Sequence, residues 1–175
     1  MRTRALEFMS VADFKSAELI TSEKLNGIYD VWKQTSGARF APARAEITPA
    51  KLRALLTWTW FVDVLDRGED FRFRIAGDRV IEYLGARYAG KLLSEQRGPA
   101  FFELMHEIFS YSVRYKRPIA HGPLQSSHAQ RNHFEAEVLV LPLSDDGETV
   151  TGLCGGFEFW PYGTHFRRTS AQTAF

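Results

Sequence analysis

The stretch TWTWFVDVLDRGEDFRFRIAGDRVIEYLG, residues 57–85, decides the fold. Its opening run, Thr57 to Leu65, is continuous, aromatic and β-branched, the composition of a strand inside a sheet. The polar turn Asp66 to Asp70 follows. Phe71, Phe73 and Ile75 then alternate with Arg72 and Arg74, a half-buried strand with one polar face. The two runs predict a β-hairpin over 58–76. Past it, Asp78 reads as a helix cap, with Val80, Ile81 and Leu84 on one side and Gly85 closing the turn.

Downstream, Leu92, Leu93 and Ser94 fall in a short turn. Gly98 and Pro99 open a longer helix to about Tyr115, with a face of Phe102, Met105, Phe109 and Ser112, and Pro118 stops it. Three strands close the chain. The first, PIAHGPLQS (118–126), carries prolines that suit a sheet edge. The second, HFEAEVLVLPL (133–143), is strong, and the turn SDDG leads to the third, TVTGLCGGFEFWP (149–161). Upstream, Leu25, Ile28, Tyr29 and Trp32 fall at i, i+3, i+4 and i+7, one apolar stripe on a helix capped by Thr21 or Ser22 and ended by Gly37. The segment TSGARFAPARAEI (35–47) is a polar connector. Thr48 and Pro49 start a second short helix that buries Leu52, Leu55 and Leu56. Strands split by a helical block predict an α+β domain with one antiparallel sheet.

Composition limits function. The chain has 175 residues, with 45% hydrophobic and 14% aromatic residues, enough for one packed domain. Its 22 basic and 21 acidic residues leave a net charge of +1, with no basic patch that would point to nucleic acid. No apolar stretch approaches the ~20 residues of a membrane-spanning helix. The N-terminus has no apolar core of a signal peptide. A lone cysteine, Cys154, permits no internal disulfide. These features predict a cytoplasmic protein with no membrane and no nucleic-acid partner.

The element order resembles a PAS domain, with two strands before and three after a set of helices. Three stretches carry a closer resemblance to the bacterial single-domain PAS proteins of the PAS_5 group: APARAEITPAKLRALL (41–56), FVDVLDRGEDFRFRIAGDRVIEYLGARYAGKLLSE (61–95) and EAEVLVLPLSDDG (135–147). The resemblance spans roughly 18–160. It divides the chain into an N-terminal extension (1–17), a single PAS-like domain (18–162) and a mobile C-terminal tail (163–175). It implies a non-enzymatic sensory or adaptor module that binds a small molecule, a protein partner or both in signal transduction.

Under that resemblance no cofactor is expected. The region after the second strand, AGDRVIEYLG, lacks the cysteine of a flavin-binding light sensor, so flavin is not expected. Haem-binding members hold iron through a histidine on the long helix, where this chain has His106 at the margin of the apolar face. It reads here as an interfacial residue, without haem. A ligand would sit between the sheet and the helices at 78–115, lined by Phe73, Tyr83, Phe102, Met105 and Phe109, with His106 and His121 as polar anchors.

Other constellations have simpler readings. His121, His128 and His133 lie within one predicted hairpin, and His121 and His133 could share a metal across it. A His-rich polar loop explains them equally, and no metal is expected. Asp63, Glu135, Glu137 and Glu158 could supply a general acid/base pair. Cross-strand pairing with Arg72 and Arg74 on a polar face accounts for them without catalysis. Gly155-Gly156 suggests a bulge or a close backbone approach, and Cys154 a small core residue. Arg39 and Arg44 read as solvated charges.

Two alternatives stand beside the sensory module. One is a small cone-shaped α+β isomerase or hydratase using a strand acid with a histidine, which the early hairpin disfavours. The other is a structural dimerisation module with a filled core. The stripe Leu25, Ile28, Tyr29 and Trp32 needs cover, and Arg72, Arg74 and Glu158 on the outer sheet face leave little. The stripe therefore predicts a homodimer interface.

Overall fold

The computed structural model describes residues 17, 20–96, 98, 100–128 and 131–161, apart from the side chains of 100 and 123–134. The expected tail and nearly all of the expected extension lie outside these residues. The elements run α1 (Glu23–Ser36), α2 (Pro49–Leu52), β1 (Thr59–Leu65), β2 (Asp70–Ala76), α3 (Asp78–Leu84), α4 (Ala100–Tyr115), β3 (Ile119–His128), β4 (Arg131–Leu143) and β5 (Gly152–Pro161). They form one five-stranded sheet in the order β2-β1-β5-β4-β3, and every neighbouring pair is antiparallel. The α+β reading and its strands hold.

Side-chain alternation sorts the sheet into two apolar faces. On the inner face Trp60, Val62, Phe71, Val138 and Phe157 pack against α3 and α4 through Val80, Leu84, Met105, Ile108 and Phe109. On the outer face Phe61, Leu139, Leu141, Leu143 and Cys154 pack beneath α1 through Leu25, Ile28 and Trp32. Covering both faces explains why β4 and β5 read as nearly unbroken apolar runs instead of clean alternation.

This arrangement corrects the reasoning that set the α1 stripe at a dimer interface. Leu25, Ile28 and Trp32 are 0%, 2% and 6% exposed on their own sheet, and Tyr29 is half-buried, with its ring 6.1 Å from that of Trp32. The cover comes from Phe61 of β1, three leucines of β4 and Cys154 of β5, and Glu158 lies on this face as expected, bonded to the start of α1. Arg72 and Arg74 sit on β2, at the far edge of the sheet. Trp32 also donates its indole N–H to the carbonyl of Pro142 at 2.7 Å.

Local chemistry sets the ends of α1. The Ser22 hydroxyl accepts the Leu25 N–H at 3.1 Å, and Gly37 closes the helix at φ +59°. Thr48 caps α2 with Pro49 in its first turn. Two expectations shift. Thr57 and Trp58 belong to a 3-10 turn spanning Arg53–Trp58, so β1 begins at Thr59. Asp78 is the first residue of α3 and Gly77 occupies the cap position, because a Cβ there would fall 2.3 Å from the carbonyl oxygens of Leu56 and Thr57.

At one sheet edge, the link between α3 and α4 is tied to β2. Phe73 N–H donates to the carbonyl of Lys91 at 3.0 Å, and Gly90 and Leu93 N–H donate back to Phe73 and Phe71. The opposite edge is β3, as its prolines suggest. Its pairing with β4 shifts between His121 and Leu124, where Gly122 takes φ +132°. A Cβ there would lie 2.6 Å from the carbonyl oxygen of Ala136, so only glycine fits the bulge.

Candidate functional site: a cleft between sheet and helices

Between the inner sheet face and the helices lies a cleft. Its floor is Trp60 on β1, Phe157 on β5 and Phe73 on β2, and its opposite wall is Met105 and Phe109 on α4. Val80 and Leu84 of α3 and the Tyr88-Ala89 link close one end. Ile75 lies at the mouth, 49% exposed. The room open to the centre of a water-sized sphere is about 20 Å³, and all the empty space between the walls, open solvent included, is about 400 Å³. The smaller volume is about that needed by one water molecule.

The walls are aromatic and neutral. The Trp60 ring centroid lies 4.9 Å from Phe109 and 5.6 Å from Phe157, and Phe73 lies 5.6 Å from Tyr88. Among the twelve lining residues only Trp60 and Tyr88 carry a side-chain nitrogen or oxygen, and none carries a charge. Such a site favours apolar, planar molecules and disfavours ions, whose desolvation nothing there would offset.

The structure places the seven residues expected to line a ligand site in three groups. Phe73, Met105 and Phe109 line the cleft. Tyr83 and Phe102 are buried in the same core beside it, Tyr83 stacked on Phe159 and Phe102 edge-on to Tyr88 and Phe101. The two histidines lie elsewhere. His106 turns to the hairpin, with Nε2 at 3.0 Å from the Glu69 carbonyl and its ring edge-on to Phe71. His121 is buried on β3, paired with Val138, and both β5 and β4 lie between its strand and β1. The sequence reading missed Trp60, Tyr88, Phe101 and Phe157. The alternation of β1 and β5 carried a signal for Trp60 and Phe157, which share the parity of Val62 and Leu153.

The other constellations resolve into structural roles. Asp63 accepts from Arg74 Nε at 2.6 Å and lies 3.7 Å from Arg44, whose guanidinium stacks over Phe61. Arg39 makes a forked contact with Glu46 at 2.8 and 3.0 Å. Glu135, Glu137 and Glu158 share one sheet face, as expected, but it is the buried face under α1. Across the strands Glu137 stands opposite Glu158, not opposite a cation, and the cation that pairs with Glu158 is Lys24 of α1. Both carboxylates instead receive donors from the start of α1. Thr21 N–H and Ser22 N–H donate to Glu137, and Ser22 Oγ and Lys24 Nζ donate to Glu158. Burial drives the Cys154 thiol far above its ordinary range and leaves it an inert core residue. The side chains of His128 and His133 lie outside the described residues, among which no group of three or more His, Cys, Asp or Glu is set to hold a metal.

The glycine pair is the hinge of the whole arrangement. A Cβ on Gly155 would fall 2.7 Å from Trp60 Cζ2, on the cleft side of β5. A Cβ on Gly156 would fall 2.6 Å from Leu25 and 2.8 Å from Ile28, on the α1 side. Two consecutive residues thus bring the cleft floor and the α1 stripe against the same strand.

The sequence model of the PAS domain family matches residues 20–157, most of the chain. The chain belongs to the PAS domain family. No curated protein matches it. Among solved structures, it is similar to the PAS domain from Bordetella pertussis BvgS, at 19% identity and a TM-score of 0.49, covering 70% of this chain and 93% of that one. Family membership makes the chain a sensory or signalling module in general terms. Among the described residues no helix is long and apolar enough to cross a membrane.

Proposed function

We propose that this PAS domain is a non-enzymatic sensory module that takes a small molecule into the cleft and reports occupancy to a protein partner through α1. The observation that carries the reading is the pair Gly155-Gly156, one facing the cleft floor and the other facing α1. A ligand entering between Trp60, Met105 and Phe109 displaces packed rings. Close-packed interiors transmit such displacements because they hold few voids. The route from Trp60 to Leu25 and Ile28 crosses one strand.

Occupancy shifts α1 only as far as the ligand binds one arrangement better than the other. The absence of charge among the described residues of the cleft and the engagement of Asp63 and Glu137 in structural bonds favour binding over catalysis. Native mass spectrometry of the purified protein, set against its denatured mass, tests the reading. A co-purifying mass lost on denaturation supports a ligand. A bare chain, together with no binding of small aromatic compounds, points to the structural module with a filled core.

A further inference from the structure

Trp60 is 2% exposed, and its indole N–H has no hydrogen-bond acceptor among the described residues. The contrast is internal, because the indole of Trp32, also buried, donates to the carbonyl of Pro142. Buried donors in native proteins are nearly always paired, and an unpaired one carries its full desolvation penalty. A water molecule is a poor partner here. A buried water is held by two to four polar groups, whereas among the described residues this cleft offers side-chain nitrogen or oxygen only from Trp60 and Tyr88.

Resting on the reading of the cleft as a ligand site, we infer that its ligand is a small, neutral, planar molecule, largely apolar, with one acceptor atom that takes the Trp60 N–H. A carbonyl oxygen or an aromatic ring nitrogen meets that description. The rings of Phe73, Tyr88, Phe109 and Phe157 supply faces and edges for stacking. Among the described residues no cation lines the cleft to hold a carboxylate or phosphate. The orphan donor also gives selectivity. An isosteric molecule without an acceptor leaves the N–H buried and unpaired, and sites built around a buried polar group reject such analogues strongly.

The matched probes are acetophenone and α-methylstyrene, which share shape and differ by a carbonyl oxygen against a methylene. Titration of the intact protein should show acetophenone binding about tenfold tighter, the ratio expected for pairing one buried donor. In ¹⁵N-resolved spectra the Trp60 indole proton should move downfield with acetophenone and not with α-methylstyrene. Trp60→Phe should bring the two affinities together, and the wild-type indole shift stands as evidence even if that variant fails to fold. Equal binding of the two probes without an indole shift would overturn the acceptor inference while leaving the ligand site standing. Binding of neither probe, nor of quinoline, would overturn both.

Discussion

Glu137, in the middle of β4, accepts the backbone N–H of Ser22 at 2.9 Å across 115 residues of chain. The same carboxylate accepts the N–H and hydroxyl of Thr21, each at 3.0 Å. These are donors at the start of α1, where a helix has no internal partners to give them and where its dipole favours a negative charge. A sheet residue therefore fixes where the helix begins.

Glu137→Gln removes the charge and turns an amide donor toward backbone donors. With Glu137 at 0% exposure, the variant should lose about 1–3 kcal/mol of stability, the cost of leaving buried donors unmatched. Urea denaturation reads this directly. A loss within error of zero would mean that α1 starts where it does for other reasons.

The glycine pair predicts an order of damage. At Gly155 an added Cβ meets the backbone carbonyl of Leu139 at 1.8 Å, and no side-chain adjustment relieves it. At Gly156 the nearest atoms are the ends of the Leu25 and Ile28 side chains, which can move. Gly156→Ala should cost about 1–3 kcal/mol, as overpacking usually does. Gly155→Ala should cost more than about 4 kcal/mol or give no folded protein. The reverse order in thermal denaturation would contradict this account of β5.

The double variant Ile28→Glu with Trp32→Glu separates a helix packed on its own sheet from one held by a second copy. Both side chains lie in the outer core. Two unpaired carboxylates there should abolish cooperative unfolding in circular dichroism. A folded protein of half the original mass in sedimentation would restore the dimer interface instead.

Acid should weaken the fold in a defined window. The Arg39 guanidinium and the Ala43 N–H bonded to Glu46 hold its carboxyl down to about 2. At Asp70 burial acts to raise the value, but hydrogen bonds from Ser94 and Phe71 outweigh it and lower the pKa. A carboxyl depressed in the folded state contributes stability that is present above its unfolded value, about 4, and is lost as pH falls through the folded one. Urea midpoints should therefore drop from about pH 4 toward pH 2, and Asp70→Asn should flatten that slope. Glu46 is exposed, so its share is small despite its shift.

The sequence made the strands legible because hairpin alternation and turn residues are local signals. Phe71, Phe73 and Ile75 against Arg72 and Arg74 located β2 without any tertiary knowledge. The cover of α1 was not legible. Alternation puts Glu135 and Glu137 on one face of β4 with Leu139, Leu141 and Leu143, but does not tell that α1 buries that face. Trp60 was hidden for a related reason. In a strand apolar on both faces, parity groups Trp60 with Val62 but has no polar partner to mark which side faces the cleft. The two histidines fall outside the cleft lining for a reason of strand position, which residue chemistry does not carry: β5 and β4 stand between the strand of His121 and β1.

The central claim is that cleft occupancy reaches α1. Hydrogen exchange of the α1 amides, with and without saturating acetophenone and with the Trp60 indole shift as proof of occupancy, tests it most directly. The account predicts that exchange across Asn26 to Lys33 changes when the cleft fills, and that Gly156→Ala alters this response. Unchanged α1 exchange with the cleft demonstrably occupied would contradict it.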